Sequence, residues 1–381
     1  MEIGYYSASP HDPEKTHFDG SNLRSSFGAQ NIWLGKPGHK ITGESIAALQ
    51  LALDDFRPDV VLAFGLRGLR LVRETSFSGS VGVYCIDLEH LVPLYWSSHK
   101  IRYGTFQQKP LELMKMPKTL HKAWRLRRET LREYPKANFV INSAAHHAAW
   151  HRVHHHRPTL YVPNPVERLF AELPAQIPAH PPRFLLLGGL RGIATTTGLM
   201  WFAKHVYPHI ESAIKNGAFE VHLAGRLALR ENVGIMERVI HRGYIDDLAD
   251  EMTRTTAVIV PTPINLGFRT RVLDAFRHGV TVIAHPANAL GMPELVDEKN
   301  ALLASSGPEF ARAMLRLAGD PAEVQRLRRA AFEQFTKEMN ATVAADQIVR
   351  FIGSTIARAA PNARSALPGE CRATRSDLSH R

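Results

Sequence analysis

The sequence predicts an α/β protein built from two doubly wound, Rossmann-like domains that face a central cleft. Three observations carry this. Short apolar strands alternate with helical stretches through both halves of the 381-residue chain. A proline-rich break (Pro163-Asn164-Pro165, then Pro174, Pro178, Pro181 and Pro182) separates the halves. In the second half, Ala257-Val258-Ile259-Val260 is an unbroken apolar run, as expected of a strand covered on both faces.

In the first half the expected strands are Ile3–Ser7, Asn31–Leu34, Val60–Phe64, Val81–Ile86, Phe139–Asn142 and Leu160–Val162. Helices are expected over Glu44–Phe56, with Thr42 as N-cap, and over Leu120–Glu133 and Ala144–His154. The second half offers strands at Phe184–Leu187, Val221–Ala224, Val239–Tyr244, Ala257–Val260, Val280–Ala284 and Ala301–Ala304. Its first helix, about Thr197–Ile214, carries Leu199, Phe202, Val206 and Ile210 at core-facing spacings, and Pro208 should kink or divide it. Helices near Pro308–Ala318 and Ala322–Glu338 close the domain. A last helix, Val343–Ala357, follows, and the Ser-, Arg-, Pro- and Ala-rich stretch from Ala360 reads as a disordered tail. The expected division is 1–170, 171–342, 343–359 and 360–381.

No twenty-residue apolar span and no charged-then-apolar N-terminus is present, which argues against a transmembrane or secreted protein. Cys85 falls in an apolar strand and Cys371 in a polar tail, so a structural disulfide is not expected and a reducing cytoplasm fits. The net charge of +11 points to nucleic acid, anionic lipid or a phosphorylated substrate. No nucleic-acid-binding motif accompanies it. Between Lys100 and Arg132 stand ten Lys or Arg against two Glu, interleaved with Phe106, Met114, Leu120 and Trp124. Such a segment fits an anionic membrane surface, peripheral to the inner face. A solvated helix packing its apolar side on the core fits equally well.

The densest chemistry lies in Ala257–Ala284: strand, loop, short helix, strand. Gly267 is expected to open the helix, with Arg269 and Arg271 in its first turn. Unpaired N–H groups and partial positive charge at a helix start, joined by two arginines, form a diphosphate cradle. Asp274 follows on the same face, within reach of the sugar hydroxyls of a nucleotide, and Gly279 ends the helix. Solvated arginines on an ordinary αβ unit are the alternative.

Gly267, Arg269, Arg271, Leu273, Asp274, Ala275, Phe276 and Gly279 match, in order, the nucleotide-sugar signature of GT-B glycosyltransferases, and the stretch resembles most closely the retaining family 4. Arg271 stands where relatives carry Lys and Asp274 where they carry Glu. Leu266 occupies the place of a second acidic residue found in many members. Phe184–Gly189, Gly198–Phe202, Val221–Arg226 and Gly243–Leu248 resemble further donor-side stretches, and Phe139–Ser143 and Tyr161–Val166 match more weakly. The resemblance implies a GT-B fold whose final helix crosses back to the first domain. It also implies a nucleotide-diphosphate sugar held on the second domain by Gly189, Arg226, Tyr244, Gly267, Arg269, Arg271 and Asp274. Arg226 is a third phosphate partner on that view and a plain surface arginine on the other. Tyr244 borders the nucleobase or is buried under the sheet edge.

In the first half, Val81–His90 delivers Asp87, Glu89 and His90 to a strand end. They are candidates for a general base or for orienting an acceptor hydroxyl, and helix capping is the competing role. The polar loop Ser7–Ser26 is a candidate acceptor grip. His147 and His151 have helical i, i+4 spacing, but no convergent third ligand is evident and a weakly basic helix end is the better account. No Asp-x-Asp motif stands out, so no divalent metal and no cofactor is expected. The expected activity is transfer of a sugar to a lipid-linked or polysaccharide-precursor acceptor, with retention implied only by the resemblance. A sugar-nucleotide epimerase, or a catalytically degenerate assembly partner at the membrane, remains an alternative.

Overall fold

The structure, a computed structural model, describes residues 4–7, 31–34, 41–188, 192–225 and 236–359. The first domain opens with a parallel pair, β1 (Gly4–Ser7) and β2 (Asn31–Leu34). Then follow α1 (Gly43–Phe56), β3 (Val60–Phe64), α2 (Gly65–Arg73), β4 (Ser80–Cys85), α3 (Val92–Tyr103), α4 (Gln108–Glu133), β5 (Phe139–Asn142), α5 (Ala145–His155) and β6 (Thr159–Tyr161). Strands β3-β4-β5-β6 form a parallel sheet in that order. Thr42 does cap α1, in a reciprocal capping box with Ser45.

The second domain contains β7 (Arg183–Leu187), α6 (Ile193–Trp201), α7 (Tyr207–Lys215), β8 (Glu220–Ala224), β9 (Ile240–Gly243), α8 (Leu248–Thr253), β10 (Ala257–Val260), α9 (Thr270–Arg277), β11 (Thr281–Ala284), β12 (Ala301–Leu303), α10 (Gly307–Gly319) and α11 (Pro321–Gln334). Its six parallel strands run in the order β12-β11-β10-β7-β8-β9. Side chains alternate across this sheet. Phe184, Leu186, Ile259 and Ile283 enter one buried cluster, and Leu185, Val258, Val260 and Val282 enter the other. That is why Ala257–Val260 is apolar without interruption: all four residues are fully buried.

Pro208 divides the α6–α7 span as expected. Phe202–Val206 widens into a π-type turn, and Pro208 sits in the first turn of α7, where its missing N–H costs nothing. Helix α4 is 26 residues long and runs through Pro117, so it starts well before the expected Leu120. Helices α2, α3 and α8 had no counterpart in the sequence expectation.

The final helix, α12 (Ala341–Ala359), crosses back to the first domain. Ala344, Ile348, Phe351 and Ile352 pack on Phe139, Ile141 and Val162, with the Phe139 and Phe351 rings edge to face, 5.8 Å between centroids. Its entry is tied where Ala341 N–H donates to Val166 O at 2.9 Å.

Candidate functional site

In an open parallel sheet, ligands bind beyond the carboxyl ends of the strands, where neighbouring crossovers leave in opposite directions. In the second sheet that point lies between β7 and β10, since β7 leads on to β8 on one side and β10 leads to β11 on the other. Gly188 follows β7 and Pro261 follows β10. Together with Thr195, Leu199 and Arg271 they line one small pocket.

Arg271 occupies this switch point. Its guanidinium donates from Nη2 to Thr195 Oγ1. A Cβ placed on Gly188, whose φ is +142°, would lie 3.3 Å from the same Nη2. The glycine therefore admits both the backbone turn and the arginine. Burial draws the Arg271 pKa down to about 10, with Asp274 opposing, so it stays cationic at neutral pH.

Arg269 has another task. The helix starts at Thr270 rather than at Gly267, which leaves Arg269 as the N-cap residue. Its side chain turns inward and is 5% exposed. Nε donates to Asn288 Oδ1 at 2.8 Å, Nη2 to Ile264 O at 2.8 Å, and Nη1 to Leu266 O. Asn288 in turn donates to Val260 O, Thr262 O and His285 O. Arg269 and Asn288 thus wire the loop after β10 into one conformation. Burial and the neighbouring Arg271 lower the Arg269 pKa to about 9. Both guanidiniums lie away from bulk solvent.

Asp274 lies one turn past Arg271. It is half-buried and paired with Arg277 at 3.1 Å, and burial raises its pKa. Tyr244, just past edge strand β9, is 64% exposed. Gly189 and Arg226 lie outside the described residues, as do residues 8–26 of the loop after β1 and the stretch from Ala360.

Across the cleft, Asp87 meets Gly267. The φ of Gly267 is +67°, and a Cβ there would overlap Asp87 Oδ1, so both the backbone and the approach of Asp87 require glycine. Asp87 Oδ1 is buried without a hydrogen-bond partner among the described residues. Burial raises its pKa, with Arg269 opposing. Glu89 and His90 do not join it. Glu89 accepts from Leu66 N–H at 3.4 Å in the first turn of α2, the capping role. His90 is buried against Trp150, 5.3 Å between ring centroids, and burial pushes its pKa down to about 4.

Sequence reasoning missed the contacts that join the two domains. Tyr95 Oη donates to Asn265 Oδ1, His146 Nε2 pairs with Asn265 O at 2.7 Å, and His99 Nδ1 pairs with Thr197 Oγ1 at 3.0 Å. Isolated polar residues on helices gave no signal for them. His147 and His151 face inward on α5 rather than forming a hydrated helix end. No group of three potential metal ligands occurs among the described residues.

Residues 181–320, which hold the whole switch-point arrangement, match the family described as glycosyl transferases group 1. No curated protein matches the chain in sequence. Among solved structures, the Anabaena protein Alr3699/HepE in complex with UDP is similar with a TM-score of 0.61 at 14% identity, covering 88% of each chain. Sucrose-phosphate synthase from Thermosynechococcus elongatus reaches 0.58 at 18% identity, covering 84% of this chain and 80% of that one. The lipopolysaccharide outer core galactosyltransferase WaaB, in its apo form, reaches 0.56 at 13% identity, covering 93% and 99%. The fold is GT-B. Residues 181–320 of the second domain are similar to the group 1 glycosyl transferases.

Proposed function

We propose that the protein takes a sugar from a nucleoside-diphosphate donor and places it on a lipid-linked or polysaccharide-precursor acceptor at an anionic membrane surface. The transfer proceeds with retention and without a divalent metal. One observation carries the donor half: Arg271, Thr195 and Gly188 converge at the switch point of the second sheet, opposite Asp87. The charge balance supports it. Among the described residues, Arg269, Arg271 and Arg277 stand beside two carboxylates, Asp87 and Asp274, so the cluster carries an excess cation where a pyrophosphate would sit. HepE, which shares the fold, has been solved with UDP and with UDP-glucose.

The chemistry follows from that charge. As the glycosidic bond to phosphate breaks, the leaving diphosphate gains negative charge, and a fixed guanidinium stabilises it more than it stabilises the bound donor. Arg271 serves this role, and Arg269 holds the loop that aims it. Asp87, kept from water, can orient or deprotonate the acceptor hydroxyl. WaaB, a lipopolysaccharide galactosyltransferase, supports an acceptor of the envelope-glycan class.

The test is calorimetric titration of UDP and GDP into the wild type and Arg271→Ala, beside turnover of labelled nucleotide sugars with membrane extract in the presence of a chelator. Arg271→Ala should weaken nucleotide binding by about 30-fold or more, the loss expected for a charge-assisted contact. Equal affinity in both proteins removes the donor site. Release of isomerised free sugar nucleotide without an acceptor turns the assignment to an epimerase.

A further inference from the structure

We propose that the outer face of the α3–α4 hairpin docks the protein on an anionic lipid bilayer. This deepens the proposed function and rests on it only for the purpose of docking, which is to reach a membrane-borne acceptor. The docking itself stands on the hairpin.

The argument begins with the face that α4 buries. Glu112, Ala123 and Thr130 are buried, with Met116, Thr119 and Leu126 half-buried between them, at alternating four- and three-residue spacings. That inward stripe is partly polar. The large apolar side chains point elsewhere. Leu113 is 56% exposed, Met114 78%, Leu120 54% and Trp124 55%. Leu113, Pro117, Leu120 and Trp124 recur at four, three and four residues, so they form one continuous outward stripe. Phe106, in the turn between the helices, is 91% exposed and extends it. A helix that packed its apolar side on the core would show the reverse pattern. Contiguous exposed apolar surface of this kind marks an interaction site.

Charge selects the occupant. Lys118, Lys122, Arg125 and Arg128 stand exposed along the same helix. Between Gln108 and Arg128 the only carboxylate is Glu112, and it is already engaged by Lys100 and Lys115, each at 3.3 Å. The two further carboxylates of the helix lie at its far end, where Glu129 pairs with Arg70 and Glu133 with Arg132 and Lys136, so the stretch from Lys118 to Arg128 keeps a cationic excess. Trp124 carries the Arg128 guanidinium 5.4 Å from its ring centroid, an amphipathic pair suited to the headgroup level. No helix among the described residues is long and apolar enough to cross a membrane. The hairpin therefore lies in the interface, with apolar groups in the acyl boundary and cations on anionic headgroups.

The test sediments the full chain with vesicles of phosphatidylcholine alone or mixed with phosphatidylglycerol. The expected result is pelleting with the mixed vesicles only, and release by high salt. Leu120→Asp with Trp124→Asp, and separately Lys118→Ser with Lys122→Ser and Arg125→Ser, should each lower the vesicle partition at least about tenfold. UDP titration of the same proteins checks that they are folded, since these residues lie outside the donor pocket. Failure of the donor reading would appear as lost UDP binding with pelleting intact. The docking proposal is overturned if wild type stays in the supernatant, binds neutral vesicles equally, or pellets no better than either folded variant. Capture of an acidic protein without vesicle binding would overturn it as well.

Discussion

Arg269 and Arg271 are two residues apart, yet the structure gives them different work. Arg271 ends at Thr195 beside the strand-end glycine, whereas Arg269 is consumed by the carbonyls of Ile264 and Leu266 and by Asn288. Their alanine variants should therefore separate. Arg269→Ala strands the Asn288 oxygen and two loop carbonyls and empties a buried volume. It should cost about 2–4 kcal/mol of stability, read by urea unfolding. Arg271→Ala should cost less stability and more nucleotide affinity. Equal stability losses in the two variants would remove the distinction. Gly267→Ala provides a second check: with a φ of +67° and Asp87 against it, even a methyl group forces the loop or the carboxylate aside. Turnover should fall while UDP affinity, assigned to Arg271 in the proposed donor site, stays within a few-fold. The sequence placed both arginines at the start of one helix but could not divide their roles. The partners of Arg269 are main-chain carbonyls and an asparagine 19 residues away, and residue spacing along a helix carries no trace of either.

At the scale of elements, α5 is unusual for what it buries. His147, His151 and His155 lie at four-residue spacings on its inner face, with exposures of 0%, 1% and 4%. His151 and His155 pack with Tyr134 and Trp150, His151 also with Cys85, and His147 lies against His146 and Ile86 O. Burial, aided by the mutual repulsion of the imidazolium forms, holds the pKa of His147 and His151 at about 3 and that of His155 at about 4. The unfolded chain protonates these rings near pH ~6.5 and the folded one only near pH 3–4. Between those limits the unfolded state binds more protons, so stability falls as pH falls. Urea unfolding at pH 7, 6 and 5 should show a decline that is shallower in His151→Phe by up to about 1.4 kcal/mol per pH unit below pH ~6.5. An unchanged slope in that variant would show that His151 takes no part. The sequence displayed the i, i+4 histidines plainly, but the same spacing serves a metal site, a hydrated helix end or a buried stripe. Only the packing of α5 against β5 and Tyr134 decides. Inner strands such as β5, β10 and β11 were legible because a doubly covered parallel sheet writes itself as apolar runs. Helices α2 and α3 were not, since α2 follows β3 with no intervening loop and α3 is polar along much of its length.

At the scale of the molecule, two cores are joined by a linker and by α12, and across the cleft they touch through a few polar contacts. Asn265 receives Tyr95 and His146, Thr197 meets His99, and Asp87 rests on Gly267. At the start of α5, Ala145 and His146 N–H donate to Gly291 O and Leu290 O, and Tyr161 Oη donates to Glu294 at 2.8 Å. Contacts of this kind contribute about 0.5–1.5 kcal/mol each, and polar interfaces within a chain permit relative motion of domains. The closed form should therefore be only modestly favoured in the free protein. A donor bound at Arg271 would add contacts from both sides and shift the population further. Tyr95→Phe combined with His99→Ala removes two of the bridges without touching the switch-point pocket. In small-angle scattering the variant should have a larger radius of gyration than wild type when nucleotide is absent, and the two should converge when UDP is saturating. Its KM for the donor should rise because part of the binding energy now goes into closing the cleft, while kcat at saturation changes little. Identical scattering of the two free proteins would mean that the remaining contacts, the α5 start and Tyr161 on the second domain and Tyr103 on its core, hold the domains together. In that case Tyr161→Phe combined with Tyr103→Ala, not the bridge variant, would open the cleft.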